Sequence, residues 1–493
     1  MGGVEPLALG ARALKASVFF AMTEVTLVMD EQTKRLMGVL SDLRPPALIK
    51  LIEGLERGHD AGIAKVYEPI MAKVRPILRH MGIQRPGKPK PLRLLCAPFE
   101  EMLCDGDRPF KQDGRIARAS IIPVWSWLTE NLMPDTLPDL CARIDEHIGS
   151  GDGEALQAAV AILQATVSSA ILSAMEEAGG NKEKLAALLG GEDVLADAKE
   201  MAEVLSVAPI MAKLRQRVPG KIDNFDDHFI GVVRDIYDET YSDHPDGAIY
   251  VALSVMSRLD KPWEIMRLAR KIALRNDDTM ISRTDLAVLG NLLIEDMEEI
   301  GKEFKRLRPS EVDFSMTFKK AKRFADISSG LSREIDIGRW GEWGKRLYAA
   351  RNQVSGEISV LMARFARDMA RALPLQRMGA YGRSGPRQPD FSKPPAPGTT
   401  GLVEEELKFL EACRKIGELI GVHADYKSVR EDIDAYLSVY EDGLVEGIRH
   451  AQDTERENAK AFVEIVVRQR AILSGNEAAK IFHRQASVAA GGL

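Results

Sequence analysis

The sequence predicts an all-α protein, a large multi-helix body followed by a small C-terminal helical unit. Apolar residues recur at every third or fourth position through most of the chain, which is the period of an amphipathic helix. The clearest run covers 286–307 and a second covers 347–369. Each run predicts a helix of about 25 residues, roughly 37 Å long at 1.5 Å per residue. Helices of this length favour a bundle or an irregular helical stack.

Interruptions of this period divide the chain. Residues 1–29 precede the first strong helical pattern, and we expect a disordered leader there. The helical body covers 30–374, with an irregular segment at 83–122 that begins in a proline-rich run. Proline, glycine and serine dominate 375–402, which predicts a linker. Apolar stripes return over 403–493 and predict the C-terminal helical unit.

Composition favours a cytoplasmic protein without a cofactor. The four cysteines show no C-x-x-C spacing, so we interpret them as buried thiols in a reducing compartment. The stretch Ala155–Met175 has no charged residue and is long enough to cross a membrane. Polar side chains interrupt it, and Glu154 and Glu176 flank it without a lysine or arginine bias. We therefore expect a helix that is buried on most sides.

Charge is strongly segregated along the chain. The net charge is −6, yet residues 302–393 hold 20 lysines and arginines against 10 acidic residues, a net of +10. We call 302–393 the basic belt. It predicts a contact surface for an anionic partner, most simply an acidic protein surface. Nucleic acid and anionic lipid are alternatives, a homo-oligomer is compatible, and pairing with carboxylates of the same chain is the competing interpretation.

The candidate binding residues are bases that cluster within the belt. They are Lys319, Lys320, Lys322, Arg323, Arg339, Lys345, Arg346 and Arg351. Trp340 and Trp343 lie among them, between closely spaced glycines. If exposed, these tryptophans would form a protein-binding anchor, because tryptophan and arginine dominate binding energy at interfaces. If packed against the body, they would instead mark a tight turn between helices.

An acidic segment with histidines offers a second kind of site. Residues 223–246 contain eight acidic residues and two histidines. His228, Asp235, Asp238 and Glu239 could together hold a divalent metal ion, since carboxylate and imidazole are common ligands. Their spacing matches no standard metal motif. Helix caps and a solvated acidic face explain the same residues.

These observations predict a non-enzymatic, cytoplasmic helical scaffold or adaptor whose basic belt docks an anionic partner. The sequence presents no catalytic motif that we can assign, and this favours the scaffold over an enzyme. The first alternative is a metal-dependent enzyme centred on 223–246. The second is nucleic-acid or membrane-surface binding through the basic belt.

Overall fold

The computed structural model describes residues 90–105, 111–274, 277–308, 312–377 and 387–491, together with three isolated positions in the first 89 residues. The predicted leader therefore lies outside the described residues. The structure is 80% helical with few short strands, which confirms the all-α prediction. The chain divides into two compact units, Met1–Leu268 and Ala269–Leu493.

The first unit contains a minimal parallel pair of strands, β1 (Leu103–Cys104) and β2 (Ile116–Ala117), in which Leu103 pairs with Ile116. Its helices are α1 (Pro91–Cys96), α2 (Ile121–Trp127), α3 (Thr136–Ser150), α4 (Gly153–Ala178), α5 (Lys182–Leu189), α6 (Glu192–Ser206), α7 (Ala208–Arg217), α8 (Asp227–Asp243) and α9 (Pro245–Arg258). Shorter 3₁₀ and π turns are Ala97–Met102, Arg118–Ser120, Leu128–Leu132, Gly179–Asn181 and Pro262–Ile265. Helix α4 packs chiefly on α6 and α3, and α8 packs on α9.

Helix α4 contains the uncharged stretch and is less buried than the sequence suggested. Leu163, Val167 and Ile171, four residues apart, form its buried face. Length and composition alone would let Gly153–Leu189 cross a membrane, but only 28% of its most apolar window is buried. Alanine and serine supply much of the remaining surface, and these small side chains tolerate contact with water. The expectation of burial on most sides is therefore wrong.

A polar clasp holds the irregular segment before α2 against α6. The buried carboxylate of Asp197 accepts hydrogen bonds from the Ser120 hydroxyl at 2.5 Å and from the Ala117 amide at 3.1 Å. Lys111 Nζ lies 2.9 Å from Asp197 Oδ1 and 2.6 Å from Glu200 Oε2. Asp197 thus pairs one backbone amide of the segment, and the ion pairs of Lys111 join the same segment to α6.

The second unit is also helical. Its helices are α11 (Asp278–Ile281), α12 (Ala287–Lys305), α13 (Phe314–Glu334), α14 (Glu342–Met362), α15 (Phe365–Ala372), α16 (Pro397–Cys413), α17 (Gly417–Ile420), α18 (His423–His450), α19 (Asp453–Ser474) and α20 (Asn476–Ala489). Helix α10 (Met266–Ala273) contains the boundary between the units. Strands β3 (Leu375–Arg377) and β4 (Arg387–Pro389) pair antiparallel, with Gln376 opposite Gln388.

Two sequence predictions differ from this arrangement. The helix expected over 347–369 is two helices, α14 and α15, separated by Ala363 and Arg364. After the break, Phe365 contacts Phe314 and Phe409, with ring centroids 5.9 and 6.3 Å away. The predicted linker contains β3, β4 and the first turns of α16. Because Phe409 of α16 joins this cluster, the residues on both sides of that segment belong to one unit.

A buried carboxyl pair joins α15 to α16. Glu406 is fully buried beside Asp368, and Arg364 Nε lies 3.6 Å from Glu406 Oε1 and 3.9 Å from Asp368 Oδ2. Arg371 Nη1 lies 3.0 Å from Asp368 Oδ1. Burial, and then the charge of Asp368, raise the pKa of Glu406 from 4.5 to about 8. The Glu406 carboxyl is therefore mostly protonated at neutral pH.

Candidate functional site

Ion pairs within the second unit balance much of the basic belt. The carboxylate partners lie on the same helix or on a neighbouring one. The pairs are Lys302–Glu299, Lys320–Glu303, Lys322–Asp326, Arg323–Asp296, Arg346–Glu298, Arg364–Asp368 and Arg371–Asp368. Such pairs contribute little stability at a surface, but they place an acidic group beside each base. The belt is therefore not a continuous cationic surface.

The candidate cluster on α13 illustrates this balance. Lys320, Lys322 and Arg323 each lie within 3.3 Å of a carboxylate. Lys319 is exposed, and among the described residues no carboxylate lies within ion-pair distance of it. Three of the four predicted contact residues on α13 thus form ion pairs within the second unit. This agrees with the interpretation in which the belt pairs with carboxylates of the same chain.

Two further candidates have structural roles. Arg346 donates two hydrogen bonds to Glu298, at 2.8 and 2.9 Å, and this bidentate contact raises its pKa. Arg351 donates from Nη2 to the carbonyl oxygen of Glu418, at 2.6 Å, in the short helix α17. Both guanidinium groups are half-buried and already engaged. They hold neighbouring helices together and are poorly placed to receive a partner.

The glycines around the tryptophans build a tightly constrained loop before α14. The amide of Gly338 donates to Oδ1 of the buried Asp278, at 3.1 Å. A Cβ at Gly341 would lie 2.6 Å from Asp278 Oδ2, and one at Gly344 would lie 2.1 Å from the Gly338 carbonyl oxygen. Only glycine therefore fits this close approach of backbone to backbone and to carboxylate. Asp278 fixes the loop from a site 60 residues earlier in the chain.

Trp343 is buried beneath this loop. The prediction that it forms a protein-binding anchor is therefore wrong. Its side chain is 1% exposed, and its indole Nε1 donates to Asn291 Oδ1 at 2.8 Å. The ring packs directly on Gly290 of α12, where a Cβ would lie 2.3 Å from the ring. A fully buried indole with its donor satisfied offers nothing to a partner. It fixes α14 against α12.

Trp340 has the opposite environment, with 80% of its side chain exposed at the tip of the loop. The guanidinium carbon of Arg339 lies 5.6 Å from the Trp340 ring centroid and 5.0 Å from that of Tyr348, which is 41% exposed. These distances are those of cation–π contacts. Lys345 is exposed one turn before Tyr348 on α14. We call Arg339, Trp340, Lys345 and Tyr348 the Trp340 patch.

The Trp340 patch contains Arg339 and Lys345, two of the three exposed candidate bases that have no carboxylate partner among the described residues; the third is Lys319 on α13. Among the described residues, no carboxylate lies within ion-pair distance of Arg339 or Lys345. Glu342 is exposed nearby in the first turn of α14. A large exposed indole is unusual on a protein surface, and here it is stacked with arginine on an immobilised loop. This combination has the composition of an interface anchor.

The structure does not assemble the alternative metal site. His228, Asp235, Asp238 and Glu239 are all exposed on α8. Glu239 pairs with Lys213 and Asp238 with Arg234, so two of the four have cationic partners. Within the described ranges, no group of three or more histidine, cysteine or acidic residues could hold a metal ion. The spacing along one helix keeps His228 at one end of α8, away from the acidic residues near its other end.

Asp278 and Gly290 are residues of this site that the sequence did not reveal. The glycine spacing at 338, 341 and 344 predicts a tight turn. The Asp278 carboxylate that accepts a hydrogen bond from this turn is distant in the chain, and the spacing gives no indication of it. Comparison with known proteins adds no homologue: no family model, curated protein or solved structure matches this chain. The interpretation of the site therefore rests on its geometry and chemistry.

Proposed function

We propose that this chain is a non-enzymatic helical scaffold or adaptor that docks an acidic protein partner through the Trp340 patch. The observation that supports this most strongly is the exposed Trp340, stacked with Arg339 on a loop that Asp278 and Trp343 hold in place. An indole fixed before binding loses little conformational entropy when a partner covers it. The flanking cations select a partner with carboxylates. This proposal narrows the basic belt to Arg339 and Lys345, the bases that flank the exposed indole.

The chemistry of the patch favours protein over the other anionic partners. A nucleic-acid surface needs several cations spaced along a phosphate chain, because affinity comes mainly from the release of counterions. The patch offers two such cations, with Glu342 close by. A single large indole beside two charges is instead the usual composition of an interface anchor. The cytoplasmic location remains a prediction from composition.

Binding of a defined acidic ligand tests the proposal. We would titrate the full chain against a fluorescein-labelled peptide of glutamate and leucine, about 18 residues long, with leucine at every third or fourth position. We call this peptide the acidic probe. An oligothymidylate and vesicles containing phosphatidylglycerol serve as competing ligands. We expect the acidic probe to bind, and we expect its affinity to decrease as salt increases, because the patch is exposed.

Variants of the chain distinguish binding at the Trp340 patch from nonspecific attraction between the acidic probe and any exposed base or ring. Trp340→Ala should weaken the acidic probe about tenfold or more, as for an interface anchor. Arg339→Glu with Lys345→Glu should weaken it strongly at low salt and less at high salt. Arg323→Glu removes an exposed base elsewhere in the belt, and Tyr241→Ala removes an exposed aromatic ring in the first unit. Equal losses in these controls, or preferential binding of oligothymidylate or vesicles, would overturn the proposal.

A further inference from the structure

The outer face of α14 continues from the Trp340 patch, and Glu342 in the first turn is the one exposed acidic side chain on this helix. Its exposed residues follow helical spacing to the end of the helix and the residue beyond. They are Glu342, Lys345, Tyr348, Ala349, Asn352, Gly356, Val360 and Ala363. The distance from Lys345 to Val360 is about 22 Å along the axis at 1.5 Å per residue. The face therefore has the length of about four helical turns.

The middle of this face is shallow, and large apolar side chains lie near each end. A Cβ added at Gly356 would meet nothing within 4 Å, so the backbone there is open to solvent. Ala349 and Asn352 are the neighbouring exposed residues, and both are small. At one end stand Trp340 and Tyr348, and at the other Val360 is 66% exposed. A partner could approach the backbone closely between two apolar contacts.

The opposite side of α14 fixes the orientation of this face. Val354 and Ile358 are fully buried, and α14 packs more extensively on α12 than on any other described element. Trp343, wedged against Gly290, fixes the N-terminal end of the helix. Because these contacts occupy the inner side, the exposed face cannot rotate inward without losing them. The face is preformed.

We propose that the acidic partner binds as an amphipathic helix laid along this face, with its acidic end over Arg339 and Lys345. This inference rests on the proposed function and adds the form of the partner. A helical face offers no unpaired backbone groups, so an extended strand could not add to it by hydrogen bonding. Small residues flanked by larger ones form a groove into which the side-chain ridges of a second helix pack. Arg339 and Lys345, with no carboxylate within ion-pair distance among the described residues, outnumber the exposed Glu342 at this end and supply the charge complementarity.

The acidic probe and a second peptide test this form of binding. The second peptide has the same composition except for two central prolines, which prevent a helix. We expect the helical probe to bind the full chain at least tenfold more tightly than the proline peptide. Gly356→Glu and Asn352→Glu place a carboxylate in the middle of the face and should each weaken the helical probe about tenfold. Ser332→Glu adds the same charge at an exposed position of α13 and should leave binding unchanged.

The outcomes distinguish this inference from the proposed function. If Trp340→Ala abolishes binding while Gly356→Glu and Asn352→Glu have no effect, the patch is correct and the helical groove is wrong. Equal affinity for the proline peptide also overturns the helical partner alone. If no acidic peptide binds, both proposals fail. Circular dichroism checks that each variant is folded, and glutamate has a higher helix propensity than glycine, so Gly356→Glu should preserve α14.

Discussion

The buried Glu406 should make the stability of the second unit decrease as pH rises. Its pKa is about 8 in the folded chain and 4.5 ordinarily. Below pH 4.5 both states hold the proton, and the stabilisation is complete. Above that pH the unfolded chain releases the proton while the folded chain retains it, so the free energy of unfolding falls until the pH passes about 8. Replacing Glu406 with glutamine removes this dependence because the amide does not ionise.

The magnitude follows from the two pKa values. They differ by about 3.5, and each pKa unit corresponds to about 1.4 kcal/mol, which gives a ceiling near 5 kcal/mol. Arg364 lies 3.6 Å from the carboxyl and can move closer once the group is charged, which lowers this cost. We therefore expect Glu406→Gln to be more stable than the natural chain by about 2 kcal/mol at pH 9, and nearly equal to it at pH 5.

Urea unfolding of the full chain, followed by circular dichroism at pH 5, 7 and 9, measures this difference. Glu405→Gln is the matched control, because Glu405 is the exposed neighbour on the same helix and pairs with Lys408 at the surface. Its free energy of unfolding should change by less than about 0.5 kcal/mol at every pH. The reasoning is refuted if Glu406→Gln loses stability to the same extent as the natural chain between pH 5 and 9.

Three further outcomes test the packing. Burial raises the pKa values of Cys96 and Cys413 to about 12, so a thiol reagent at pH 8 should leave both unmodified until denaturant is added. Gly290→Ala, whose Cβ would clash with the Trp343 ring, should lower the free energy of unfolding by about 1–3 kcal/mol in urea titrations, and an unchanged value would contradict the close packing. Asp197→Ala should cost about 3 kcal/mol in the same assay and increase proteolysis before α2, because it removes the acceptor of several buried donors.

Helical periodicity was sufficient to predict the fold class and much of the core. The apolar run over 286–307 predicted a helix with one apolar face, and Leu289, Leu293 and Met297 within it are all buried. The break between α14 and α15 was not predictable, because the apolar spacing continues through it. It reflects a tertiary contact of Phe365 with Phe314 and Phe409, and a repeat pattern contains no information on such contacts.

The candidate site was predictable only in part. Clustering drew attention to Arg339, Trp340 and Lys345, but it also selected bases that the structure shows to be paired. The partner of Arg346 is Glu298, 48 residues away, and a sequence cannot indicate which distant acid will meet which base. Trp340 and Trp343 are three residues apart and have opposite environments. Their difference depends on Gly290 and Asp278, which belong to other helices.

The tie between Gly338 and Asp278 has a consequence for synthesis of the chain. Asp278 is synthesised 60 residues before Gly338, so the hydrogen-bond acceptor is present before the loop that donates to it. Gly290 and Asn291 also precede Trp343, whose ring they accept. The Trp343 indole therefore finds its acceptors already synthesised when α14 emerges, whereas the Trp340 indole is exposed in the completed chain too. The loop can close as soon as α14 forms, before the C-terminal helices are made.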